Sequence, residues 1–154
     1  MTPKDPGLDL IKEFESCQTD LKNGSFQAYP DPASGGAPWT IGWGTTGKDV
    51  KKGVVWTRQQ CDDRFASDMA VFAKGVTDQL AGAATSQNQF DALVSFAYNV
   101  GIGNLGRSTL LRLHKAGNFA GARAEFAKWN KAKGQVMAGL TRRRAAEAAL
   151  YAKP

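Results

Sequence analysis

The side chains with the clearest potential for chemistry are carboxyl groups near the N-terminus. Glu13 and Glu15 lie in the stretch LDLIKEFES, residues 8–16, whose apolar residues recur at helical spacing. At about 100° per residue, Glu15 falls on the flank of the apolar face, whereas Glu13 faces water. Burial beside apolar groups favours the protonated form of a carboxyl group, which a general acid requires. Glu15 is therefore a candidate proton donor, and an ordinary carboxylate at a helix end is the alternative interpretation.

Other catalytic chemistries have little support in the sequence. The single histidine, His114, lies on a basic amphipathic segment with no acid nearby, which predicts a surface residue rather than a general base. One His and two Cys supply too few soft ligands for a zinc site. Neither Cys17 nor Cys61 has a Cys–His signature, which argues against a nucleophilic cysteine. Because we expect no export signal, we expect reduced thiols, with one disulfide as the alternative.

The elements that must position Glu15 follow from periodicity and turn residues. Two capping boxes, Thr57-Arg58-Gln59-Gln60 and Ser86-Gln87-Asn88-Gln89, each predict the start of a helix. We predict a helix over 8–16, a small irregular antiparallel sheet within 17–55, and helices over 57–80, from 86, over 108–116, over 118–129 and over 140–152. The chain is expected to form one domain, residues 1–154, with an N-terminal helix and β-lobe at about 8–55 and a helical lobe at about 57–152.

Length and composition agree with such a domain. The chain has 154 residues, of which 42% are hydrophobic and 22% charged, so a disordered chain is excluded. No apolar run approaches the ~18 residues that span a bilayer. Because the first ten residues are polar, we expect neither a secretory signal nor a membrane anchor there.

Charge is distributed unevenly along the chain. Residues 107–154 carry a net charge of +9 and residues 1–106 a net charge of −3. A basic C-terminal third predicts a polyanionic partner, such as nucleic acid, an anionic membrane or an acidic cell-wall polymer. The segment has few interleaved aromatic residues and no nucleic-acid-binding motif, so we expect no nucleic acid. A solvated helical surface is the alternative.

Specific segments resemble a known family in its order along the chain. They are IKEFES at 11–16, AYPDP at 28–32, WTIGWGTTG at 39–47, QFDALVSF at 89–96, YNVG at 98–101, STLL at 108–111, and a set of C-terminal residues from Phe126 to Tyr151. Together they resemble the phage T4-type lysozymes, the endolysins of glycoside hydrolase family 24. The resemblance covers nearly the whole chain.

The resemblance implies a lysozyme-like α+β fold, mostly helical, with a small antiparallel β-lobe and a glycan cleft between the lobes. It implies hydrolysis of the β-1,4 bond between N-acetylmuramic acid and N-acetylglucosamine in peptidoglycan, with inversion and without a metal or cofactor. Motif by motif, the general acid falls on Glu15, and the residues that position water fall on Asp31 and Thr40.

Two departures from the family pattern concern this trio. The separations from Glu15 to Asp31 and from Asp31 to Thr40, sixteen and nine positions, are longer than usual in the family. Asp20 is therefore a competitor for the role of Asp31, although it lacks the Tyr-x-Asp context. Thr45 stands where the family commonly has a His that bonds to the catalytic Glu.

Four residues match family positions that contact the glycan: Thr46, Tyr98, Asn99 and Ser108. Each has another interpretation from the residues alone. Tyr98 is equally typical of a core residue, Asn99 of a helix cap before a glycine, and Ser108 of an N-cap.

Further residues have supporting or structural interpretations. Arg143 resembles the family arginine that steadies the catalytic Glu. An i,i+4 ion pair with Glu147 is the competing interpretation, and Arg143 could have both roles. Trp39, Trp43 and Trp56 are expected in the core of the β-lobe rather than as sugar platforms.

The functional expectations extend to partners and compartment. We expect peptidoglycan glycan strands as substrate, an anionic wall surface bound by the basic third, a monomer, and a separate holin that gives access. The protein is expected in the host cytoplasm until the membrane is permeabilised, and then at the cell wall or in the periplasm. A lytic transglycosylase, which would not need Thr40 to hold water, and a non-catalytic cell-wall-binding protein are the alternatives.

Overall fold

The computed structural model describes residues 1–15, 20–31 and 34–154. The chain contains helices α1 (Asp5–Glu15), α2 (Arg58–Leu80), α3 (Gln87–Val100), α4 (Ile102–Arg107), α5 (Thr109–Lys115), α6 (Phe119–Glu125) and α7 (Ala138–Tyr151), a 3-10 turn (Phe126–Lys128), and strands β1 (Ser25–Gln27), β2 (Val55–Thr57), β3 (Lys131–Ala132) and β4 (Gln135–Val136). Two compact units are present: a β unit, Glu15–Met69, and a helical unit, Met1–Phe14 with Ala70–Pro154.

Local capping explains where two of the helices begin. At the start of α2, the Thr57 hydroxyl accepts from the Gln60 backbone N–H at 3.1 Å, and the Gln60 side chain accepts from the Thr57 N–H at 2.8 Å. Ser86 and Gln89 form the same reciprocal pair at the start of α3. Both predicted capping boxes are confirmed, and each satisfies backbone donors that have no partner within the helix.

The β unit has very little regular sheet. β1 and β2 pair antiparallel, with Phe26 opposite Trp56, and Phe26 is buried. Within the region 17–55, where an antiparallel sheet is predicted, residues 39–45 form isolated pairs instead: Thr40 pairs with Tyr29, and Ile41 with Thr45. Gly42 and Gly44 turn the chain back after one residue pair, because they adopt positive φ, which does not extend a strand.

The helical unit has its core along α3. Eight consecutive α3 residues, Phe90–Ala97, are buried, and α3 packs against α7. These buried residues lie on every side of the helix, so α3 is surrounded by other elements. Elsewhere in the helical unit, α5 and α6 pack together. Among the described residues, no helix combines the length and apolar character that a bilayer span requires.

Two elements of the helical unit were not predicted, namely α4 and the hairpin of β3 and β4. Gly103 and Gly106 interrupt the apolar periodicity of α4, so its sequence is typical of a loop. Gly106 has a packing reason, because a Cβ there would lie 2.6 Å from Nε2 of Gln79. The glycine thus lets α4 approach α2 closely.

His114 is buried, which corrects the expectation of a surface histidine. Its exposed fraction is 1%, its Nε2 lies 2.8 Å from the Thr85 hydroxyl, and its Nδ1 lies 2.6 Å from the Tyr151 hydroxyl. Thr85 donates its one hydroxyl proton to the carbonyl of Ala83 at 3.0 Å, so it accepts from Nε2–H of His114. Burial favours the neutral imidazole, so Nδ1 carries no proton and accepts from the Tyr151 hydroxyl. Burial lowers the pKa of His114 and raises that of Tyr151.

Candidate active site

Glu15 is the last residue of α1 and belongs to the β unit. Its side chain is half-buried, whereas Glu13 is exposed, as the helical wheel predicts. The wheel therefore separates the two carboxyl groups correctly by their access to water.

A five-residue turn, Ile41–Thr45, lies against this carboxyl group. Ile41 and Thr45 exchange both backbone hydrogen bonds, at 2.9 and 3.0 Å, and Gly44 between them has φ +81°. A Cβ built on Gly44 would lie 2.5 Å from Oε2 and 2.9 Å from Cδ of Glu15. The backbone of Gly44 is thus in direct contact with the carboxyl group of Glu15. In the sequence, Gly44 is one residue of the WTIGWGTTG motif, and the Gly-x-Gly within it is a signal of close approach in a turn.

Residues of the turn are also held by α2. The Trp43 indole N–H donates to Oδ1 of Asp62 at 2.8 Å, and the Arg58 guanidinium lies 4.9 Å from the ring centroid. Trp43 is buried, in agreement with its expected core role. A Cβ on Gly42 would lie 2.9 Å from Sγ of Cys61, so the turn approaches α2 at this point as well. These contacts fix the backbone of the turn.

Cys61 is a buried free thiol whose pKa is raised by burial. A raised pKa leaves little thiolate, so Cys61 acts here as a packing residue and has no feature of a nucleophile. Cys17 lies outside the described residues.

Asp31 and Thr40 are connected through the pair formed by Tyr29 and Thr40. Tyr29 and Thr40 exchange backbone hydrogen bonds of 2.9 Å in both directions, and Asp31 follows Tyr29 by two residues. Both Asp31 and Thr40 are half-buried. Thr40 also directly precedes the turn that contacts Glu15, so Asp31 and Glu15 are linked through Thr40 by two backbone hydrogen bonds and one close contact.

Asp31 and its competitor Asp20 differ in their surroundings. The carboxylate of Asp31 accepts a hydrogen bond from the Ser34 N–H at 3.2 Å. The backbone N–H of Asp31 donates to the Gly36 carbonyl. Asp20 bonds instead to the N–H of Lys22 at 2.8 Å, with its side chain 38% exposed and the ammonium group of Lys22 at 3.9 Å. Asp20 thus completes a turn that precedes β1.

Thr45 is almost completely buried, at 1% exposed, and its hydroxyl has no hydrogen-bond partner among the described residues. It stands where the resembling family has a His. Thr46, the next residue, is exposed, and its carbonyl accepts from Arg64 at 3.4 Å. Arg64 also pairs with Asp49 at 2.6 Å, which lowers the pKa of Asp49.

Asn99 and Tyr98 lie near the end of α3 in the helical unit. Asn99 is exposed and accepts a 2.9 Å hydrogen bond from Arg144, so the suggestion that it caps the helix is wrong; Gly101 is the C-cap. Tyr98 is half-buried and packs edge-on against Phe72, with ring centroids 5.1 Å apart. Asn99 lines an open depression of about 500 Å³ together with Asn104, Lys128, Trp129, Lys131 and neighbouring residues.

Ser108 is the N-cap of α5, which confirms the capping interpretation. Its hydroxyl accepts from the Leu111 N–H at 3.0 Å and donates to the Leu105 carbonyl at 2.7 Å. Ser108 is also buried. Its one proton is therefore committed to the backbone of its own helical unit.

Arg143 forms the expected i,i+4 pair with Glu147. Nε of Arg143 donates to Oε1 of Glu147 at 3.1 Å, and Nη2 donates to the Ser95 carbonyl at 3.2 Å. Arg144 also donates to Oε1 of Glu147 at 2.8 Å, and the Ser95 hydroxyl donates to the same oxygen at 2.7 Å. All four side chains are buried, so this carboxylate balances two buried cations within the helical unit.

A second depression, of about 380 Å³, is basic. It is lined by Arg107, Arg112 and Lys115 among other residues around the start of α5. The sequence between Asp91 and Glu125 contains no acidic residue. Within the described part of the chain, neither Arg112 nor Lys115 has a carboxylate partner.

The described residues, 1–15, 20–31 and 34–154, form no candidate metal-binding site. No group of three His, Cys, Asp or Glu side chains there is arranged to hold an ion.

Sequence comparison finds endolysins among the relatives of this chain. A family model described as phage lysozyme matches residues 12–147. The endolysin of Bacillus phage PZA is 46% identical over 145 residues, which make up 94% of this chain and 53% of that protein. The endolysin of Bacillus phage B103 is 43% identical, over 94% of this chain and 52% of that protein. The chain spans about half the length of these two relatives.

Solved structures with the same architecture cover nearly the whole chain. The muramidase domain of SpmX from Asticaccaulis excentricus has a TM-score of 0.82 and 34% identity, over 98% of this chain and 97% of that one. The endolysin of Escherichia coli phage FAHEc1 also has a TM-score of 0.82, with 36% identity, over 99% and 94%. The predicted lysozyme-like α+β fold is confirmed.

Proposed function

Because the chain belongs to the phage lysozyme family, we propose that it degrades peptidoglycan as an endolysin. The bond cleaved is the β-1,4 linkage between N-acetylmuramic acid and N-acetylglucosamine, and the reaction is hydrolysis with inversion. The observation that carries this proposal is the series of backbone hydrogen bonds and close contacts that links Asp31, through Tyr29, Thr40 and Gly44, to the carboxyl group of Glu15. It supplies a half-buried acid and a second carboxylate within one compact unit.

Glu15 donates its proton to the oxygen of the leaving sugar. Asp31 accepts a proton from the attacking water, and the hydroxyl of Thr40 orients that water. Inverting glycosidases keep the two carboxyl groups ~6.5–9.5 Å apart so that a water fits on the opposite face of the sugar. The protein needs no metal or cofactor for this reaction, because proton transfer and a positioned water suffice.

Glycan contacts are proposed for Thr46, Tyr98, Asn99 and Ser108. The exposed positions of Thr46 and Asn99 support direct contact, and the open depression beside Asn99 offers room for a sugar ring. Tyr98 presents a half-buried ring, whereas Ser108 contributes mainly by fixing the start of α5. Arg143 is proposed as a supporting residue for Glu15, in addition to its pair with Glu147.

The basic C-terminal third is proposed to bind the anionic cell-wall surface. The basic depression lined by Arg107, Arg112 and Lys115 supports this, because cations without carboxylate partners attract polyanions at long range. No nucleic acid is expected as partner. The protein is proposed to act as a monomer, to stay in the host cytoplasm until a separate holin permeabilises the membrane, and then to reach the wall or periplasm.

Two other functions are possible for this fold. A lytic transglycosylase would cleave the same bond without added water and leave an anhydro sugar, and Thr40 in the pair with Tyr29 favours hydrolysis over it. A non-catalytic wall-binding protein would have no use for Glu15, Asp31 and Thr40 together.

Substitution of Glu15 tests the proposal. Glu15→Gln keeps the shape of the side chain but removes the proton, so clearance of permeabilised cells should fall by ~10²–10⁴-fold. Glu13→Gln, on the exposed side of the same helix, is the matched control and should stay near wild type. Equal activity of both variants would exclude Glu15 as the general acid.

A further inference from the structure

We propose that Gly44 is a positioning residue for the carboxyl group of Glu15. This inference rests on the proposed role of Glu15 as proton donor and explains how that group is held. The absence of a side chain at position 44 leaves the space that the carboxyl group occupies. Any larger residue there displaces the proton donor.

The contact has one fixed partner and one movable partner. A Cβ at position 44 would lie 2.5 Å from Oε2 and 3.3 Å from Cγ of Glu15, which is too close, so one of the two must move. The turn is held by the two backbone bonds between Ile41 and Thr45 and by Trp43 on Asp62. The Glu15 side chain ends in rotatable bonds, whereas the turn is fixed through its backbone, so the carboxyl group yields first. An added methyl group is therefore accommodated by moving the carboxyl group.

Other glycines of the β unit separate this effect from backbone strain. Gly53 has φ +87°, close to the +81° of Gly44, yet a Cβ at position 53 would meet nothing within 4 Å. Alanine at either position suffers the same penalty for left-handed backbone. Only alanine at position 44 also meets Glu15. Gly53→Ala is thus a matched control for strain.

Kinetics of the two variants on soluble glycan fragments test the proposal. A displacement of about 1 Å at a reacting group costs ~10²-fold. We expect Gly44→Ala to lower kcat by about that factor with KM changed less than about twofold, and Gly53→Ala to retain kcat. In a Glu15→Gln background, Gly44→Ala should cause no further loss, because it acts through Glu15.

A second readout does not depend on activity. The ¹³C signal of the Glu15 carboxyl carbon should move in Gly44→Ala and stay in place in Gly53→Ala. An unmoved signal, or a kcat of Gly44→Ala equal to that of Gly53→Ala, would overturn the positioning role. A fully active Glu15→Gln variant would instead overturn the assignment of Glu15 as proton donor, and the carbon signal would still report whether Gly44 confines that side chain.

Discussion

The indole Nε1–H of Trp43 donates a 2.8 Å hydrogen bond to Oδ1 of Asp62. This bond joins the turn that contacts Glu15 to the first turns of α2. The turn has only one pair of residues, Ile41 and Thr45, with ladder hydrogen bonds, so it depends on such side-chain contacts for its position. Asp62 is therefore expected to influence the site without touching substrate.

Replacement of Asp62 by alanine should lower both stability and activity. Loss of a hydrogen bond to a charged group costs about 1–2 kcal/mol at a partly exposed site. Asp63→Ala is the control, since it removes the exposed pair of Asp63 with Gln59 on the same helix and should cost less than about 0.5 kcal/mol. Denaturant unfolding and cell clearance give both quantities. Identical behaviour of the two variants would show that the Trp43 bond does not hold the turn.

Substitutions of Asp31 and of Asp20 are expected to have opposite effects on activity. Asp31→Asn should reduce clearance of permeabilised cells by about 100-fold or more, because an amide cannot accept the proton of water. Asp20→Asn should remain active, because the carboxylate of Asp20 only completes a turn with Lys22. Activities compared at matched thermal stability decide between them. An inactive Asp20→Asn with an active Asp31→Asn would mean that the roles are reversed.

The basic depression should matter for intact walls more than for small substrates. Long-range attraction is screened over a Debye length of ~10 Å at 0.1 M salt. The double variant Arg112→Ala/Lys115→Ala should lose about threefold or more activity on permeabilised cells at low salt and little on soluble glycan fragments.

Lys51→Ala/Lys52→Ala serves as a charge-matched control for that variant, because both lysines are exposed in the β unit. It should lose less activity on cells. Equal losses in the two double variants would mean that net charge, rather than this depression, promotes encounter with the wall.

His114 should titrate below its ordinary pKa of 6.5, because burial disfavours the imidazolium. The unfolded chain then binds more protons than the folded one between the folded pKa and 6.5, so stability falls as pH drops through that window. Below the folded pKa the loss is complete. The chain has one histidine, so its NMR signals need no assignment by mutation. A midpoint at or above 6.5 would contradict the buried neutral state.

Local signals explain which parts of the fold could be predicted. The capping boxes at Thr57 and Ser86 close within four residues, so the sequence contains the whole interaction. The burial of His114 depends on Thr85 and Tyr151, which are 29 and 37 positions away, and its own basic helix gives no sign of them. Helix α4 could not be predicted for a similar reason: Gly106 is explained by its close approach to Gln79, a residue distant in sequence.

In the candidate site too, features set by residues close in sequence could be predicted, and contacts between distant residues could not. The wheel placed Glu15 at the border of the apolar face and Glu13 in water, because helical geometry is local. The contact of Glu15 with Gly44 joins residues that are far apart in sequence, so it could be recognised only in the folded structure. The aromatic residue type in a β-favouring stretch predicts that Trp43 is buried. Its hydrogen bond to Asp62 depends on the position of α2, which the sequence does not contain.

Mass spectrometry of peptidoglycan digested by the protein tests the central claim most directly. Hydrolysis between N-acetylmuramic acid and N-acetylglucosamine should release fragments with a reducing muramic acid end, and Glu15→Gln should release none at the same protein concentration. Anhydromuramic acid ends would instead identify a lytic transglycosylase. Undigested glycan strands from the folded wild-type protein would contradict an enzymatic function altogether.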